Sequence, residues 1–251
     1  MIFYEKSERD SVSALTYRNR IEKDSFDVVV MRGMAASPDS VNVYQFLTRK
    51  IKLEEVALTA EDSMKLIRKY HLESIFEEYQ ARNRPGEVGK PLEILAIAPD
   101  SIGHIFVATN NELIAANAIS GVETRRDDIL IVGNENWIDF KSLSLEQLAM
   151  LNIVLIAPSY INRDNYMLNE LNSRIIADVN KLPNKYHYTG YELINFVGEM
   201  LDQHGVYFQT GLDKTGRIPG VIFEGFDYTE GNDNAVVPLI KFEDTGFRVV
   251  N

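Results

Sequence analysis

Short apolar runs that alternate with helical patterns constrain this chain most strongly. Several of the runs are rich in Ile and Val on both faces, which is typical of strands buried in a parallel sheet. The runs are Met1–Tyr4, Asp27–Met31, Leu92–Ala98, His104–Ala108, Ile129–Val132 and Ile153–Ala157. Between the first two runs, the apolar residues of Ser11 to Lys23 fall near one face of a helix. The pattern predicts βαβ units, and therefore an α/β fold with a parallel sheet flanked by helices.

Cap and turn signals place further helices in this α/β part of the chain. Thr59 to Asp62 has the form of an N-terminal cap, and an apolar helical pattern follows it for about five turns. Asn111 to Ser120 predicts a helix that stops near Gly121. Ser144 to Gln147 is a capping box, which predicts a helix over Leu145–Leu151.

The pattern changes after Pro158. Two helical stretches follow in succession, Tyr166–Lys181 and Tyr191–His204, and Gly205 is placed to end the second one. From Gly220 onwards, short apolar runs alternate with Gly, Asp and Asn, which predicts antiparallel strands. These runs are Val221–Phe223, Ala235–Phe242 and Phe247–Val250. We therefore expect an α/β domain over residues 1–158, a helical segment over 159–219 and a β tail over 220–251.

Composition and charge exclude several classes of protein. Among the 251 residues there is no cysteine, so disulfides, thiolate catalysis and iron–sulfur clusters are excluded. The net charge of −11 argues against a nucleic-acid partner, because a polyanion would be repelled. No apolar run approaches the length of a membrane span, and Ile2 to Tyr4 follow the first residue without a basic signal-peptide region. We expect neither a membrane span nor a signal peptide in the chain as given.

Sequence motifs of catalysis and of metal binding are absent. The chain contains no phosphate-binding loop, no dinucleotide fingerprint, no nucleophile elbow and no zinc-protease helix motif. The 4 histidines, His71, His104, His187 and His204, are too dispersed for a ligand pair, so structural roles are expected. The oxygen-rich stretch Asp227–Asn234 does not have the spacing of a calcium loop and is interpreted as a polar hairpin turn. We predict no catalytic residue, no metal and no cofactor.

Polar residues directly follow the predicted strands, where parallel sheets bind ligands. Ligands of open α/β sheets lie outside the carboxyl ends of the strands, beside helix N-termini with free N–H groups. Trp137 is the only tryptophan. It either packs under the Ser144 helix or stacks on a ligand, and the sequence leaves both roles open. The candidate ligand-binding rim consists of Tyr4, Ser7, Ser11, Thr109, Asn110, Glu112, Asn134, Glu135 and Trp137.

The order and spacing of several motifs resemble the second lobe of type I periplasmic binding proteins. The motifs are His104-Ile-Phe-Val-Ala-Thr109, Gly133-Asn-Glu-Asn-Trp137, Ile153–Tyr160, Tyr188-Thr-Gly-Tyr-Glu192, which is similar to the family's Gly-Tyr-Asp helix start, and Gly225-Phe226. The resemblance covers roughly the whole chain. It is closest to a divergent branch found in Bacteroidetes-type bacteria, some members of which carry peptidoglycan-binding LysM modules.

The resemblance implies one half of a Venus-flytrap receptor. The ligand-binding region of such receptors, as in Leu/Ile/Val-binding proteins, has two α/β lobes that close on a small molecule. In this chain the residues that resemble the second lobe stand at the beginning of the sequence, and the resemblance implies that the later helices return toward the first lobe. The tail is expected to cross a hinge at Pro158, Ser159 and Tyr160. A first-lobe sheet is missing, so the chain is expected to be a C-terminal portion of a longer protein or a form that has lost a lobe.

Three functions follow as alternatives. The leading one is a non-catalytic solute receptor for an amino acid, a short peptide or a cell-wall fragment, in the periplasm or cell envelope, with a transporter or a cell-wall component as partner. The second is an envelope scaffold that keeps the fold without binding a ligand. The third is a doubly wound enzyme with an unrecognised site, in which a perturbed carboxylate at Glu112 or Glu135 would be the first sign.

Overall fold

The computed structural model describes residues 1–24, 27–28, 30–34, 42–52, 93–163, 165–243 and 246–251. Two compact units are present, Met1–Val154 and Leu155–Asn251. The predicted helix after Thr59 and the predicted strand residue Leu92 lie outside the described residues. The predicted three-part division at 158 and 219, with its hinge, stays a prediction.

The first unit contains a parallel sheet with helices between its strands. Its elements are β1 (Ile2–Glu5), α1 (Glu8–Lys23), β2 (Met31–Met34), α2 (Val43–Leu47), β3 (Lys50–Lys52), β4 (Glu93–Leu95), β5 (His104–Ala108), α3 (Glu112–Arg125), β6 (Leu130–Asn134), a 3₁₀ helix (Glu135–Asp139), α4 (Leu145–Met150) and the start of β7 (Ile153–Ile156). Strand β1 pairs in parallel with β2 and β5, and β5 pairs in parallel with β6. Residues such as Phe3, Ile105 and Ile131 are fully buried. The predicted α/β fold with a parallel sheet is confirmed.

Two of the predicted strands lie elsewhere than expected. Strand β2 begins at Met31, where the predicted strand ended, because β1 pairs in register from Ile2 opposite Met31. The predicted run Leu92–Ala98 contributes β4, but β4 pairs antiparallel with β3 in a separate sheet of 2 strands. Apolar composition indicated strands in both places, whereas the pairing partners depend on the tertiary fold.

Side-chain caps set the helix starts. Ser144 and Gln147 form the predicted reciprocal capping box of α4. Helix α1 begins at Glu8, earlier than predicted, because the Ser7 hydroxyl accepts a hydrogen bond from the Asp10 N–H at 3.1 Å. This bond satisfies one of the free N–H groups at the helix start.

Gly121 does not end a helix, contrary to the prediction. Helix α3 continues to Arg125 and ends where Arg126 adopts a left-handed conformation. Gly121 is buried against α2, and a Cβ there would lie 3.0 Å from Leu47 Cδ1 and 3.3 Å from Tyr44 Cα. The missing side chain lets the two helices approach closely.

The buried Arg125 side chain connects three parts of the first unit. Its guanidinium donates to the carbonyls of Leu47, Ile97 and Ala98, each at 3.1 Å. It also forms a buried ion pair with Asp127. These bonds fix the end of α2 and the chain after β4 to the end of α3. A buried charge keeps such hydrogen bonds, because burying it without partners would be costly.

The second unit is mainly helical and ends in a β-hairpin. After the end of β7 come α5 (Tyr166–Val179), α6 (Lys185–His204), a 3₁₀ helix (Gly205–Thr210), α7 (Leu212–Thr215), β8 (Leu239–Glu243) and β9 (Gly246–Val249). Strands β8 and β9 pair antiparallel, so the predicted β tail is confirmed there. The Ala157 N–H donates to the Pro238 carbonyl at 2.9 Å.

Two details of the second unit differ from the sequence-based expectations. Helix α6 begins at Lys185, because Asn184 and His187 form a capping box, so the Tyr191-Glu192 motif lies inside the helix rather than at its start. Val221–Phe223 is not a strand but part of a bent loop. Its Ile222 packs with Leu168 and Leu171 in an apolar cluster, which explains its apolar character.

Filling the space at Gly121 is expected to destabilise the protein. Gly121→Val should lower the free energy of unfolding by about 1–3 kcal/mol, because the added atoms would meet α2. Gly198→Ala is the matched control: Gly198 lies in α6 with nothing within 4 Å of an added Cβ. Alanine there should raise stability by up to about 1 kcal/mol. Urea unfolding checks both, and equal effects would contradict the close-packing role of Gly121.

Candidate functional site

Residues after β1 and β5 form a connected polar network at one edge of the sheet. Thr109 is fully buried, and its hydroxyl donates to a Glu5 carboxylate oxygen at 3.4 Å. The Asn111 side-chain amide donates to the other Glu5 oxygen at 3.5 Å. The Thr109 hydroxyl also accepts from the Asn111 N–H at 2.9 Å. The carboxyl ends of the two strands are thus joined, as the predicted rim requires.

Three asparagine side chains extend this network, and we call Asn110, Asn134 and Asn136 the amide cluster. Asn134 Nδ2 donates to the Thr109 carbonyl at 3.3 Å and to Asn110 Oδ1 at 3.4 Å. Asn136 Nδ2 donates to the same Asn110 oxygen at 2.9 Å. Asn110 and Asn134 are half-buried and Asn136 is exposed. The cluster therefore presents amide groups to solvent at the carboxyl ends of β5 and β6.

Trp137 lies beneath the amide cluster rather than on the surface. Its side chain has 0% exposure, and its indole N–H donates to the Thr109 carbonyl at 3.1 Å. The ring lies so close to Gly133 that a Cβ there would be 2.7 Å from it. A wholly buried indole has no face on which a ligand could stack, so of the two predicted roles the structure supports packing.

Other predicted rim residues make local contacts. The Ser11 hydroxyl donates to the Ser7 carbonyl at 2.5 Å in the first turn of α1. The Tyr4 ring lies next to Gly33 of the neighbouring strand, 3.2 Å from the position of an added Cβ. Glu135 is half-buried in the 3₁₀ helix after β6. These residues lie on elements that start or end at the rim, but they do not share the hydrogen bonds that join the amide cluster.

Glu112 is held as an anion. One of its carboxylate oxygens accepts from the Ser142 N–H at 2.6 Å, and this bond, followed by the Ser142 hydroxyl, lowers the pKa of Glu112. The contact is therefore present above the ordinary glutamate pKa and is lost as the pH falls through the lowered value. A carboxyl group that acts as a general acid near neutral pH needs a raised pKa instead. The direction of the shift therefore does not favour Glu112 as a general acid, and its hydrogen bonds to Ser142 account for the shift.

Hydrogen bonds within the chain account for the oxygen-rich turn after Phe226. Asp227 accepts from the Thr229 N–H at 2.9 Å and from its hydroxyl at 2.6 Å, and the hydroxyl contributes most to lowering the Asp227 pKa. Asn234 accepts from the Asp227 N–H at 2.9 Å. Over the described ranges, no group of three or more metal-binding His, Cys, Asp or Glu side chains is found. His71 lies outside those ranges.

The second unit holds a loop built around a buried acid, which the sequence analysis missed. Ile218 and Phe226 exchange backbone hydrogen bonds of 2.7 and 2.8 Å, and we call residues 218–226 the anchored loop. The Glu192 carboxylate, 3% exposed, accepts from the Val221 N–H at 2.8 Å and from the Ile222 N–H at 2.7 Å. Asn165 Nδ2 donates to the Val221 carbonyl at 2.8 Å.

Two clefts adjoin the anchored loop. The larger has a volume of about 450 Å³ and is lined by Asn162, Asn165, Arg217 and residues 219–224. The smaller, of about 190 Å³, is lined partly by the predicted hinge residues Pro158 and Ser159. The larger volume falls within the range of small-molecule sites, roughly 300–1,000 Å³. In the sequence, the signal for this loop is the acidic Glu192 followed by a glycine-containing stretch, a pattern that also fits a variant of a family motif.

Comparisons with known proteins give a distant structural similarity. No protein-family model and no curated protein matches the chain. It is similar to the crystal structure of an ABC transporter substrate-binding protein from Desulfitobacterium hafniense in complex with Leu, with 12% identity and a TM-score of 0.47, covering 99% of this chain and 59% of that one. A second structure of an ABC transporter substrate-binding protein from that organism gives 13% identity, a TM-score of 0.47 and coverage of 100% and 60%. The chain thus spans about three fifths of the length of these proteins.

Replacing the Glu192 carboxylate is expected to loosen the anchored loop. In Glu192→Gln an amide nitrogen replaces one acceptor, so one buried N–H loses its partner at a cost of about 1–3 kcal/mol. Hydrogen exchange of the Val221 and Ile222 amides should accelerate accordingly. Glu199→Gln is the control, because Glu199 is exposed and, among the described residues, its carboxylate accepts a hydrogen bond from Gln203 of its own helix alone, at 2.9 Å. Unchanged exchange at Val221 and Ile222 in Glu192→Gln would refute the anchoring role.

Proposed function

We propose that this chain is a non-catalytic module that binds a small polar solute, an amino acid, a short peptide or a cell-wall fragment, at the rim of its first unit. The observation that carries the proposal is the amide cluster at the carboxyl ends of β5 and β6. Three amide side chains on neighbouring strand ends form one network at the edge where parallel sheets bind ligands.

The amide cluster has hydrogen-bonding groups left for a ligand. Among the residues that the structure describes, Asn110 Nδ2 donates to no group and Asn136 Oδ1 accepts from none. The amide cluster therefore keeps hydrogen-bond donors and acceptors for a ligand, which suits an amide, a carboxylate or a hydroxyl of a polar solute. The buried Thr109 and Trp137 hold the cluster from below through the Thr109 carbonyl. Fixed side chains lose less conformational freedom when a ligand binds.

The motif resemblance extends the proposal to the whole receptor. In a two-lobed protein, a solute that contacts both lobes would favour the closed state by its differential affinity, with Pro158, Ser159 and Tyr160 as the hinge. A transporter or a cell-wall component as partner, and a location in the periplasm or cell envelope, belong to the same proposal. No helix in the described ranges is both long and apolar enough to cross a membrane.

Ligand-dependent thermal stability tests the proposed rim. A panel of free amino acids, di- and tripeptides and peptidoglycan fragments is added to the 251-residue chain. A ligand at a concentration of 100 times its Kd should stabilise the chain by about 2.7 kcal/mol. Asn110→Ala and Asn136→Ala should each weaken binding by about tenfold, because each removes about one hydrogen bond to the solute.

Asn19→Ala provides the control for these variants. Asn19 is an exposed asparagine in α1, about 16 Å along the helix from its start at the rim. It should bind every member of the panel like the unchanged protein. If no member raises the melting temperature, or if Asn110→Ala and Asn19→Ala bind equally well, the rim is not the solute site.

An exposed apolar stripe on α6 favours the scaffold as a second candidate function. At 100° per residue, four side chains fall within an arc of roughly 100° of the helix. They are Tyr186 (73% exposed), Leu193 (53%), Ile194 (73%) and Leu201 (42%). Contiguous exposed apolar surface of this kind marks protein interaction sites. In a scaffold, another protein would bury the stripe, and a second copy of this chain is the simplest such partner.

The mass in solution tests the scaffold candidate. If the stripe mediates self-association, light scattering should give the mass of a dimer. Ile194→Glu should shift that mass toward 28.6 kDa, because a charge cannot be buried cheaply in an apolar interface. Val12→Glu makes the same change at a 59% exposed valine of α1 and should leave the mass unchanged. A monomer at all concentrations would remove self-association as the scaffold mechanism.

A further inference from the structure

We propose that the 450 Å³ cleft beside the anchored loop binds a small organic carboxylate, with Arg217 as its principal ligand-binding residue. This site lies in the second unit and is separate from the solute site proposed at the rim of the first. The two sites can therefore succeed or fail independently of each other.

The Arg217 guanidinium has an unused edge. Its side chain is 56% exposed, and both of its contacts use Nη2: a hydrogen bond of 3.3 Å to the Glu224 carbonyl and an ion pair of 3.7 Å with the Glu224 carboxylate. Within the described parts of the chain, Nε and Nη1 donate to no group. Nη2 belongs to both edges of the guanidinium that bind a carboxylate through two parallel hydrogen bonds, Nε with Nη2 and Nη1 with Nη2. Nη2 carries two N–H bonds, and the hydrogen bond to the Glu224 carbonyl uses one of them, so one edge keeps both of its donors.

Backbone donors line the same cleft. The N–H groups of Val221 and Ile222 are used by Glu192, whereas those of Phe223 and Glu224 donate to no described residue. Both residues line the cleft and are half-buried. Backbone N–H groups next to a guanidinium favour an anionic oxygen, because every donor carries positive partial charge.

The anchored loop holds these donors in place before a ligand arrives. It is closed by the Ile218–Phe226 backbone pair and fixed by Glu192 and by Asn165. The Ile222 side chain, 3% exposed, is buried in the apolar cluster with Leu168 and Leu171. A preformed site binds more tightly than a flexible one, because less ordering is required on binding.

Acidic groups around the cleft limit the charge of an anion that binds here. Glu224 is paired with Arg217, Asp227 is close enough for Arg217 to contribute, after Thr229, to lowering its pKa, and the Glu192 carboxylate is bonded to the anchored loop. A dianion such as a phosphate monoester would be repelled twice as strongly as a monocarboxylate. Among anions, a single carboxylate with a neutral remainder therefore meets the least repulsion.

A matched pair of probes tests the proposal on the full chain. N-acetylglycine carries a carboxylate, and N-acetylglycinamide carries a neutral amide of nearly the same shape. Millimolar N-acetylglycine should shift the backbone amide NMR signals of Phe223 and Glu224, and the amide probe should not. Arg217→Gln should weaken the binding of N-acetylglycine by about tenfold or more. Arg217→Lys should restore part of it, since it keeps the charge without the fork.

Arg174→Gln is the matched control. Arg174 is an exposed arginine of α5 paired with Glu170, in the same unit as the cleft, and its loss should leave N-acetylglycine binding unchanged. Equal shifts with the acid and the amide, undiminished binding in Arg217→Gln, or no shift at Phe223 and Glu224 at millimolar concentrations would each overturn the proposal. The shifts in Asn110→Ala should match those of the unchanged chain, which separates this site from the rim.

Discussion

The two hydrogen bonds that the buried Glu192 carboxylate accepts from Val221 and Ile222 organise the cleft side of the second unit. A buried carboxylate is costly unless it is hydrogen-bonded, and a buried N–H is costly unless it has an acceptor. Each group therefore requires the other. Because Glu192 lies inside α6, the bonds fix the anchored loop to that helix, and the backbone N–H groups of Phe223 and Glu224 take their positions from this contact.

The first unit uses a backbone carbonyl in a comparable way. The carbonyl of the buried Thr109 accepts from the indole N–H of Trp137 and from the amide of Asn134. A wholly buried residue thereby orients an accessible one. In both units, polar groups that face solvent are held by residues that do not, and side chains locked by such supporting contacts keep their geometry best.

Periodicity and capping in the sequence predicted the parts of the fold that depend on local chemistry. The two-sided apolar runs predicted β1, β5 and β6, and the spacing of Ser144 and Gln147 predicted the start of α4. The rule for parallel sheets correctly placed Thr109, Asn110 and Asn134 at one edge. Each of these inferences needs only the neighbouring residues or a general property of sheets.

The errors arose where a distant partner decides the structure. Gly121 has the sequence pattern of a helix end, yet α3 continues past it, and its missing side chain allows the close contact with α2. The apolar run Val221–Phe223 has the form of a strand, yet its N–H groups bond to Glu192, about thirty residues away. The role of Trp137 was open in the sequence, and its burial goes with an indole N–H bond to the Thr109 carbonyl, 28 residues earlier. Such pairings are properties of the folded chain, and propensity does not encode them.

The clamp around Arg125 links elements that are distant in the sequence. Strand residues Lys52 and Glu93 are paired directly, and Arg125 fixes the chain on both sides of this pair, at Leu47 and at Ile97. Loss of this one side chain would leave several buried carbonyl groups without a donor. Helix α2 and the pair β3–β4 would therefore open together with the end of α3, as one cooperative unit of local unfolding.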